Sequence, residues 1–215
     1  MTTDRSEEIS AAGEAARKVL EEKHLAREIT LNASRHAIRA CASAIRAVQR
    51  REFYPARELI AEAAAFLAEA DAALTGHPDV RYTGNLHDAK KEFAEANLTL
   101  ALVSGQALPG PDVLRVETPA YLNGLAEAAS ELRRQALDCL RRGQLGEAEN
   151  LLGLMDDVYG VLVTVDYPEA LTGGLRRATD ALRGVLERTR GDVTNALVIA
   201  RMQDAINGEP PRRDE

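Results

Sequence analysis

The stretch LHDAKKEFAEANLTLALV, residues 86–103, is apolar on more sides than a surface helix would be. Its main apolar stripe recurs at helical spacing and consists of Leu86, Ala89, Phe93, Ala96, Leu100 and Val103. The opposite side of the helical wheel is also apolar, with Ala94, Leu98, Ala101 and Leu102. Because a helix that is apolar nearly all round is a buried helix, this stretch predicts the centre of a helical bundle.

The segments on either side continue the helical pattern, and prolines mark where helices begin. Pro55, Pro119 and Pro168 each fall where a first helical turn is expected, a position that proline tolerates well. The predicted helices cover approximately residues 7–51, 55–74, 84–105, 119–143, 146–166 and 168–206, the last interrupted by Gly173 and Gly174. Residues 108–112, LPGPD, form the clearest loop.

Composition agrees with an all-α fold. Hydrophobic residues make up 45% of the chain but aromatic residues only 4%, and there is no tryptophan. Alanine and leucine are strong helix formers, whereas strands favour β-branched and aromatic residues. We therefore expect a single-domain bundle of about six to seven helices over residues 1–207, followed by a disordered tail at 208–215 rich in proline and charge.

Charge and cysteine usage exclude several classes of protein. The net charge of −7 argues against a chain that coats nucleic acid over its whole outer surface, although it leaves room for an enclosed basic groove. Cys41 and Cys139 are far apart and form no metal or redox motif, which favours a reducing compartment. No basic segment leads into an apolar run at the N-terminus, so we expect no signal peptide, and no apolar run is long enough to span a bilayer. These features predict a soluble, cytoplasmic protein.

Carboxylates are the most plausible catalytic groups, because the chain has no P-loop, no dinucleotide-binding glycine motif and no H-E-x-x-H motif. Glu95 is the only charged residue between Phe93 and Val103. A carboxylate in so apolar a helix requires a cation, an arginine or a proton. Glu92 stands one turn earlier and faces nearly the same way.

The helix that Pro119 opens supplies a second acidic pair, Glu127 and Glu131, at i,i+4 spacing. Small residues nearby, namely Gly124, Ala126, Ala128 and Ala129, permit a neighbouring helix to approach closely. Four carboxylates would then converge into an oxygen-rich site suited to Mg²⁺ or Mn²⁺. Because the chain has 34 acidic residues, spacing alone leaves the alternative that these are surface charges or pair with Arg133 and Arg134.

Four short motifs in this sequence resemble those of the translin family, and within it the TRAX-type catalytic subunit. EFAEA, residues 92–96, resembles the E-[YF]-x-E-A motif, and YLNGLAEAASEL, residues 121–132, resembles Y-L-x-G-x-x-D-x-x-x-E-L. REIT, residues 27–30, followed by Ser34 and Arg35, is similar to the R-D-I-T segment and the arginine after it. DVY at 157–159, leading to DYP at 166–168, resembles the fifth helix and its turn. The likeness extends over approximately residues 20–190.

The resemblance implies a translin-type fold, an octamer-like homo-oligomer of the archaeal single-gene type, and single-stranded RNA held in an internal cavity. It also implies that Mg²⁺ is bound and RNA hydrolysed by acidic residues, which fall here on Glu92, Glu95, Glu127 and Glu131. The third of these is usually aspartate in the family. Glu127 keeps the charge but moves its oxygens outward by one C–C bond, which puts the metal affinity and geometry of the family in doubt here.

Candidate RNA-contacting residues are basic groups near these motifs, namely Arg27, Arg35, Arg39, Arg81, Lys90 and Lys91. Such side chains bind phosphates without reading sequence. For Arg35, a role in subunit packing is an equally good interpretation. The two lysines have the alternative of an exposed i,i+4 pairing with Asp88 or Glu95.

Three functions stay open at this point. The first is a Mg²⁺-dependent endonuclease that hydrolyses single-stranded RNA. The second is a translin-like protein that binds single-stranded RNA or DNA without cutting it. The third is a helical scaffold with unrelated partners. Metal-dependent cleavage separates the first from the second, and nucleic-acid binding separates the second from the third.

Overall fold

The computed structural model of the chain describes residues 5–77, 79–80 and 84–207. All regular structure in this part of the chain is helical. The long helices are α1 (Arg5–Gln49), α2 (Phe53–Ala73), α3 (Gly84–Ser104), α5 (Thr118–Arg141), α6 (Leu145–Leu162) and α8 (Leu175–Asn207). Two single-turn helices, α4 (Pro111–Leu114) and α7 (Glu169–Thr172), lie in the connections. The predicted all-α fold is confirmed.

Helices α3 and α5 form the centre of the bundle. One group of helices consists of α1, α2 and α3, which pack on one another. A second group consists of α5, α6 and α8, and the two groups meet mainly where α3 packs against α5. Within α3 the side chains from Phe93 to Leu102 are buried, apart from Asn97, which is partly exposed. The prediction that residues 86–103 form the buried centre is therefore correct.

Two boundaries differ from the sequence prediction. The predicted loop at 108–112 contains the start of α4, a single turn that is too short to show a helical period; Pro111 is its first residue. Helix α6 ends at Leu162 rather than near Asp166. The Thr164 hydroxyl donates to the Val161 carbonyl at 2.7 Å, which satisfies a carbonyl that the ending helix leaves without its usual partner. The predicted tail at 208–215 lies outside the described residues.

The two central helices approach so closely that only glycine fits at position 124. A Cβ atom placed on Gly124 would lie 2.8 Å from the Lys91 carbonyl oxygen, 2.9 Å from the Ala94 Cβ and 2.9 Å from the Glu95 amide nitrogen. Two of these neighbours are backbone atoms, which cannot turn aside as a flexible side chain would. The predicted close approach of a neighbouring helix to the small residues of α5 is therefore confirmed.

The first half of α1 extends beyond the bundle. From Arg5 to Leu25 every residue is exposed except Lys23, which is partly covered. Three large apolar side chains in this segment, Ile9, Leu20 and Leu25, are more than half exposed. Among the described residues, no helix is both long and apolar enough to cross a membrane.

We expect Gly124→Ala to destabilise the protein by about 1–3 kcal/mol, the usual range for adding a methyl group to a closed contact. Urea unfolding followed by circular dichroism measures this change. Gly153→Ala on α6 is the matched control, because the residue is exposed and a Cβ added there would have no neighbour within 4 Å. That variant should be neutral or more stable by up to about 1 kcal/mol. Equal effects of the two substitutions would contradict the tight contact.

Candidate metal centre

Three carboxylates meet where α3 and α5 lie closest together. Glu92 and Glu95 stand three residues apart on α3 and so occupy one face of that helix. Glu127 stands three residues after Gly124 on α5, one turn beyond the tight contact. One carboxylate oxygen from each of the three glutamates lies within 4.8 Å of the others. The structure thus brings together three of the four acidic residues that the sequence singles out.

Glu95 is the buried member of this carboxylate cluster, which we define as Glu92, Glu95 and Glu127. Only 8% of Glu95 is exposed. Burial, together with the negative charges of Glu92, Glu127 and Glu131, raises the pKa of Glu95 to about 9. Burial also raises the pKa of Glu92. Without a bound cation, Glu95 therefore holds a proton at neutral pH. The sequence predicts that a carboxylate in so apolar a helix needs a cation, an arginine or a proton, and here it has the proton.

Lys91 places an ammonium group against the same cluster. Its Nζ lies 2.7 Å from Glu127 Oε1 and 3.4 Å from Glu92 Oε1. Burial lowers the pKa of Lys91, but its hydrogen bond to Glu127 and the charges of Glu127 and Glu92 raise that pKa by more. The lysine therefore stays cationic and offsets part of the negative charge of the cluster.

Glu131, the fourth predicted residue, stands one turn after Glu127 and lies outside the group of three. Its carboxylate accepts a hydrogen bond of 2.8 Å from Gln49 Nε2. Gln135 in turn donates to Gln49 Oε1 at 3.0 Å. The Gln49 amide therefore fixes Glu131 from the end of α1, while the charge of Glu131 still acts on Glu95.

Sequence reasoning missed Gln49, although a signal was present. Gln49 follows Ile45 by four residues and so continues the buried stripe of α1. It is 8% exposed. A polar side chain at a core position needs a buried partner, and here the partner is Glu131 on α5.

The alternative in which the glutamates pair with the neighbouring arginines does not match the structure. Arg133 NH2 lies 2.8 Å from Asp192 Oδ2, and Arg133 NH1 donates to Thr189 Oγ1 at 3.1 Å. These contacts join α5 to α8. No ion pair connects Arg134 with the cluster among the residues that the structure describes. The cluster therefore has Lys91 as its neighbouring cation.

The candidate RNA-contacting arginines of α1 are on its surface. Arg27, Arg35 and Arg39 are all exposed, and Arg27 NH1 lies 2.9 Å from Glu28 Oε1. Arg81 lies outside the described residues. Helix α1 passes the cluster at Cys41, whose buried thiol has a pKa of about 12, raised by burial and further by the charges of Glu92 and Glu95.

The two adjacent lysines have different surroundings. Lys90 is only 3% exposed, and its Nζ lies 3.1 Å from Asp71 Oδ1 and 3.2 Å from Glu117 Oε1. It therefore ties α2 and the start of α5 to α3. Lys91 points instead to Glu92 and Glu127. Neither lysine makes the exposed i,i+4 pairing with Asp88 or Glu95 that the spacing allows, and the structure leaves their predicted contact with RNA untested.

Two of three comparisons with known proteins found similar chains. No protein-family model matches the chain. An uncharacterised protein of Methanocaldococcus jannaschii is 30% identical over 192 residues, which is 87% of this chain and 83% of the relative. The crystal structure of AfC3PO is 32% identical with a TM-score of 0.79, and the AfC3PO–duplex RNA complex is 30% identical with a TM-score of 0.78. Each covers 88% of this chain and nearly all of its own, 98% and 97%.

A third solved structure, apo-NeC3PO, shows that the fold persists at low identity. It is 18% identical with a TM-score of 0.71 and covers 91% of this chain and 98% of its own. At that identity the likeness concerns the fold alone. C3PO is the complex of translin and TRAX, so the three solved structures have the fold that the sequence motifs predict.

The proton on Glu95 predicts a pH dependence of stability in EDTA. The folded-state pKa of about 9 is above the ordinary value of 4.5, so the folded protein binds the extra proton between those values. Its free energy of unfolding should therefore fall as pH rises through this window, by at most about 1.4 kcal/mol per pH unit. We expect Glu95→Gln to flatten that fall in urea titrations between pH 6 and 8.5 (roughly the range that avoids acid unfolding).

The control for this measurement is Glu149→Gln, because Glu149 is an exposed residue of α6. This variant should keep the slope of the wild-type protein. If Glu95→Gln also kept that slope, Glu95 would be ionised in the folded protein, and the claim that it holds a proton at neutral pH would be wrong.

Proposed function

The chain belongs to the translin family, and on that premise we propose that it is a metal-dependent endoribonuclease whose active site is the carboxylate cluster of α3 and α5. The observation that supports this most directly is the convergence of Glu92, Glu95 and Glu127 within 4.8 Å. Three glutamates so close together, one of them buried, are poorly suited to a purely structural role because they repel one another. They suit a hard divalent cation.

The chemistry of the donors fits Mg²⁺, with Mn²⁺ as a substitute, because both prefer carboxylate oxygen. Glu92, Glu95 and Glu127 would be the direct ligands, and Glu131, fixed by Gln49, would act through water. When bound, such a cation activates water and stabilises the charge that develops on a phosphodiester. To act as a ligand, Glu95 would have to lose the proton that its raised pKa retains at neutral pH. A carboxylate of the set would serve as the acceptor of a proton from the attacking water.

All four positions that are acidic in TRAX-type subunits carry glutamate here, which supports a catalytic rather than a translin-like subunit. Glu127 in place of the usual aspartate retains the charge and reaches the other two carboxylates. Glutamate instead of aspartate at position 127 is therefore compatible with a set of carboxylates that bind one metal ion together.

RNA as the substrate is supported by the similar AfC3PO structure, which was solved with duplex RNA. We propose that the chain cuts single-stranded RNA inside a homo-oligomer, with an octamer-like arrangement as in the family. The exposed Arg27, Arg35 and Arg39 line one side of α1 at spacings of eight and four residues. Together with Arg81 they would bind phosphates, which gives little sequence preference.

The experiment is an assay of end-labelled single-stranded RNA and a matched duplex, each incubated with protein in Mg²⁺ or in EDTA. We expect Mg²⁺-dependent cleavage of the single strand, and a loss of at least about 100-fold in rate for Glu95→Gln. Glu149→Gln should cleave as the wild-type protein does. Circular dichroism and size-exclusion chromatography establish that the variants fold and assemble alike.

The alternative function is RNA binding without cleavage. RNA retained intact by the wild-type protein in every metal condition would support it and contradict the nuclease proposal. Cleavage that persists in EDTA or in Glu95→Gln would contradict the assignment of the carboxylate cluster as the active site.

A further inference from the structure

The side chain of Lys91 contacts two of the three carboxylates that the proposed metal centre needs. Its Nζ is 2.7 Å from Glu127 Oε1 and 3.4 Å from Glu92 Oε1. Glu92 and Glu127 are two of the three residues whose oxygens come within 4.8 Å of one another. The ammonium group therefore uses, as hydrogen-bond acceptors, carboxylates that a cation would use as ligands.

An ammonium group and a divalent cation compete in such a space. Both carry positive charge, and a partly buried site screens their repulsion far less than bulk water does. Lys91 contacts Oε1 of both Glu92 and Glu127. A cation bound to those same oxygens would take over the acceptors that the ammonium group now uses and would repel it.

We propose that Lys91 is a built-in counter-ion of the metal centre, which neutralises part of the carboxylate cluster in the metal-free protein and is displaced when a divalent cation binds. This inference rests on the proposed function in taking the cluster as a metal site. It assigns to Lys91 a role that neither the acidic motif nor the comparisons contain, since Lys91 lies just before the EFAEA segment and outside it.

The exchange explains how so acidic a site folds without metal. Glu92 and Glu127 are only partly exposed, with side chains 26% and 37% accessible. Lys91 gives both of them a charged partner. The cost of this arrangement is a weaker apparent affinity for metal, because binding must first break the Lys91 contacts.

The displaced lysine has a further consequence for the substrate. Its four-carbon side chain is flexible and 22% exposed, so the ammonium group can swing toward solvent at the edge of the cluster. There it would meet a phosphate of the RNA. The neighbouring Lys90 is itself buried and cannot do so without breaking its two ion pairs, with Asp71 and with Glu117.

Lys91→Met tests the inference, because methionine keeps an unbranched side chain and removes the charge. Mn²⁺ is titrated into each protein, and free Mn²⁺ is measured by electron paramagnetic resonance. We expect Lys91→Met to bind Mn²⁺ tighter than wild type by about tenfold. Lys91→Arg keeps the charge and should bind Mn²⁺ as weakly as the wild-type protein.

Lys90→Met is the matched control, because it removes the same charge one residue away from a lysine that contacts Asp71 and Glu117 instead. Its Mn²⁺ affinity should equal that of wild type. Thermal unfolding gives a second measurement. In EDTA, Lys91→Met should melt below wild type, and saturating Mn²⁺ should raise its melting temperature by more than it raises that of wild type.

The outcomes separate the two proposals. Mn²⁺ binding that is lost in Glu95→Gln but equal in wild type and Lys91→Met would overturn the role of Lys91 and leave the metal centre standing. Weaker binding by a folded Lys91→Met would also overturn it, since the lysine would then support the ligands rather than compete with the metal. No Mn²⁺ binding by any of the proteins would remove the metal centre and this inference together. If Lys91→Met fails to fold, Lys91→Gln replaces it in the same comparison.

Discussion

The contact between Gly124 and the backbone of α3 is the constraint on which the rest of the structure depends. It sets the distance between the two central helices at the level where Lys91 and Glu95 leave α3. Glu127 stands one turn farther along α5, so its distance from the α3 glutamates follows from the same contact. A bundle with larger residues at this crossing would keep its helices but hold the carboxylates farther apart.

The same contact explains why the site is buried and charged at once. Helices that approach closely exclude water from between them, and Glu95 lies beside that approach. Ionised Glu95 would then destabilise the folded protein unless a cation lay beside it, and a bound proton avoids that penalty. Lys91 and the Gln49 amide compensate the other carboxylates in different ways, one with charge and one with a hydrogen bond. The proton on Glu95, the charge of Lys91 and the Gln49 amide thus each offset part of the negative charge that the close helix contact buries.

Much of this was predictable because it depends on local pattern. The all-round apolar character of residues 86–103 predicts a buried helix, and a single charge within it predicts a site at Glu95. The partners of that charge depend on tertiary packing, which no local period encodes. Lys90 and Lys91 show the limit: adjacent residues on a helix point about 100° apart, so one joins α2 to α5 and the other reaches the cluster. The positions of α2 and α5 around α3 decide which partners each lysine has.

The two halves of helix α1 differ in how strongly packing stabilises them. From Ala26 onward the helix packs on the bundle. Its first turns are exposed to solvent, and between Arg5 and Leu25 only Lys23 is partly covered; this lysine pairs with Asp79. In an isolated chain, backbone amides near Ile9 should exchange with solvent deuterium far faster than those near Cys41, because local opening there disrupts no buried packing. Association that covers Leu20 and Leu25 would slow that exchange. Amide exchange in the first turns of α1 would therefore distinguish an isolated chain from one whose exposed apolar residues are covered by a partner.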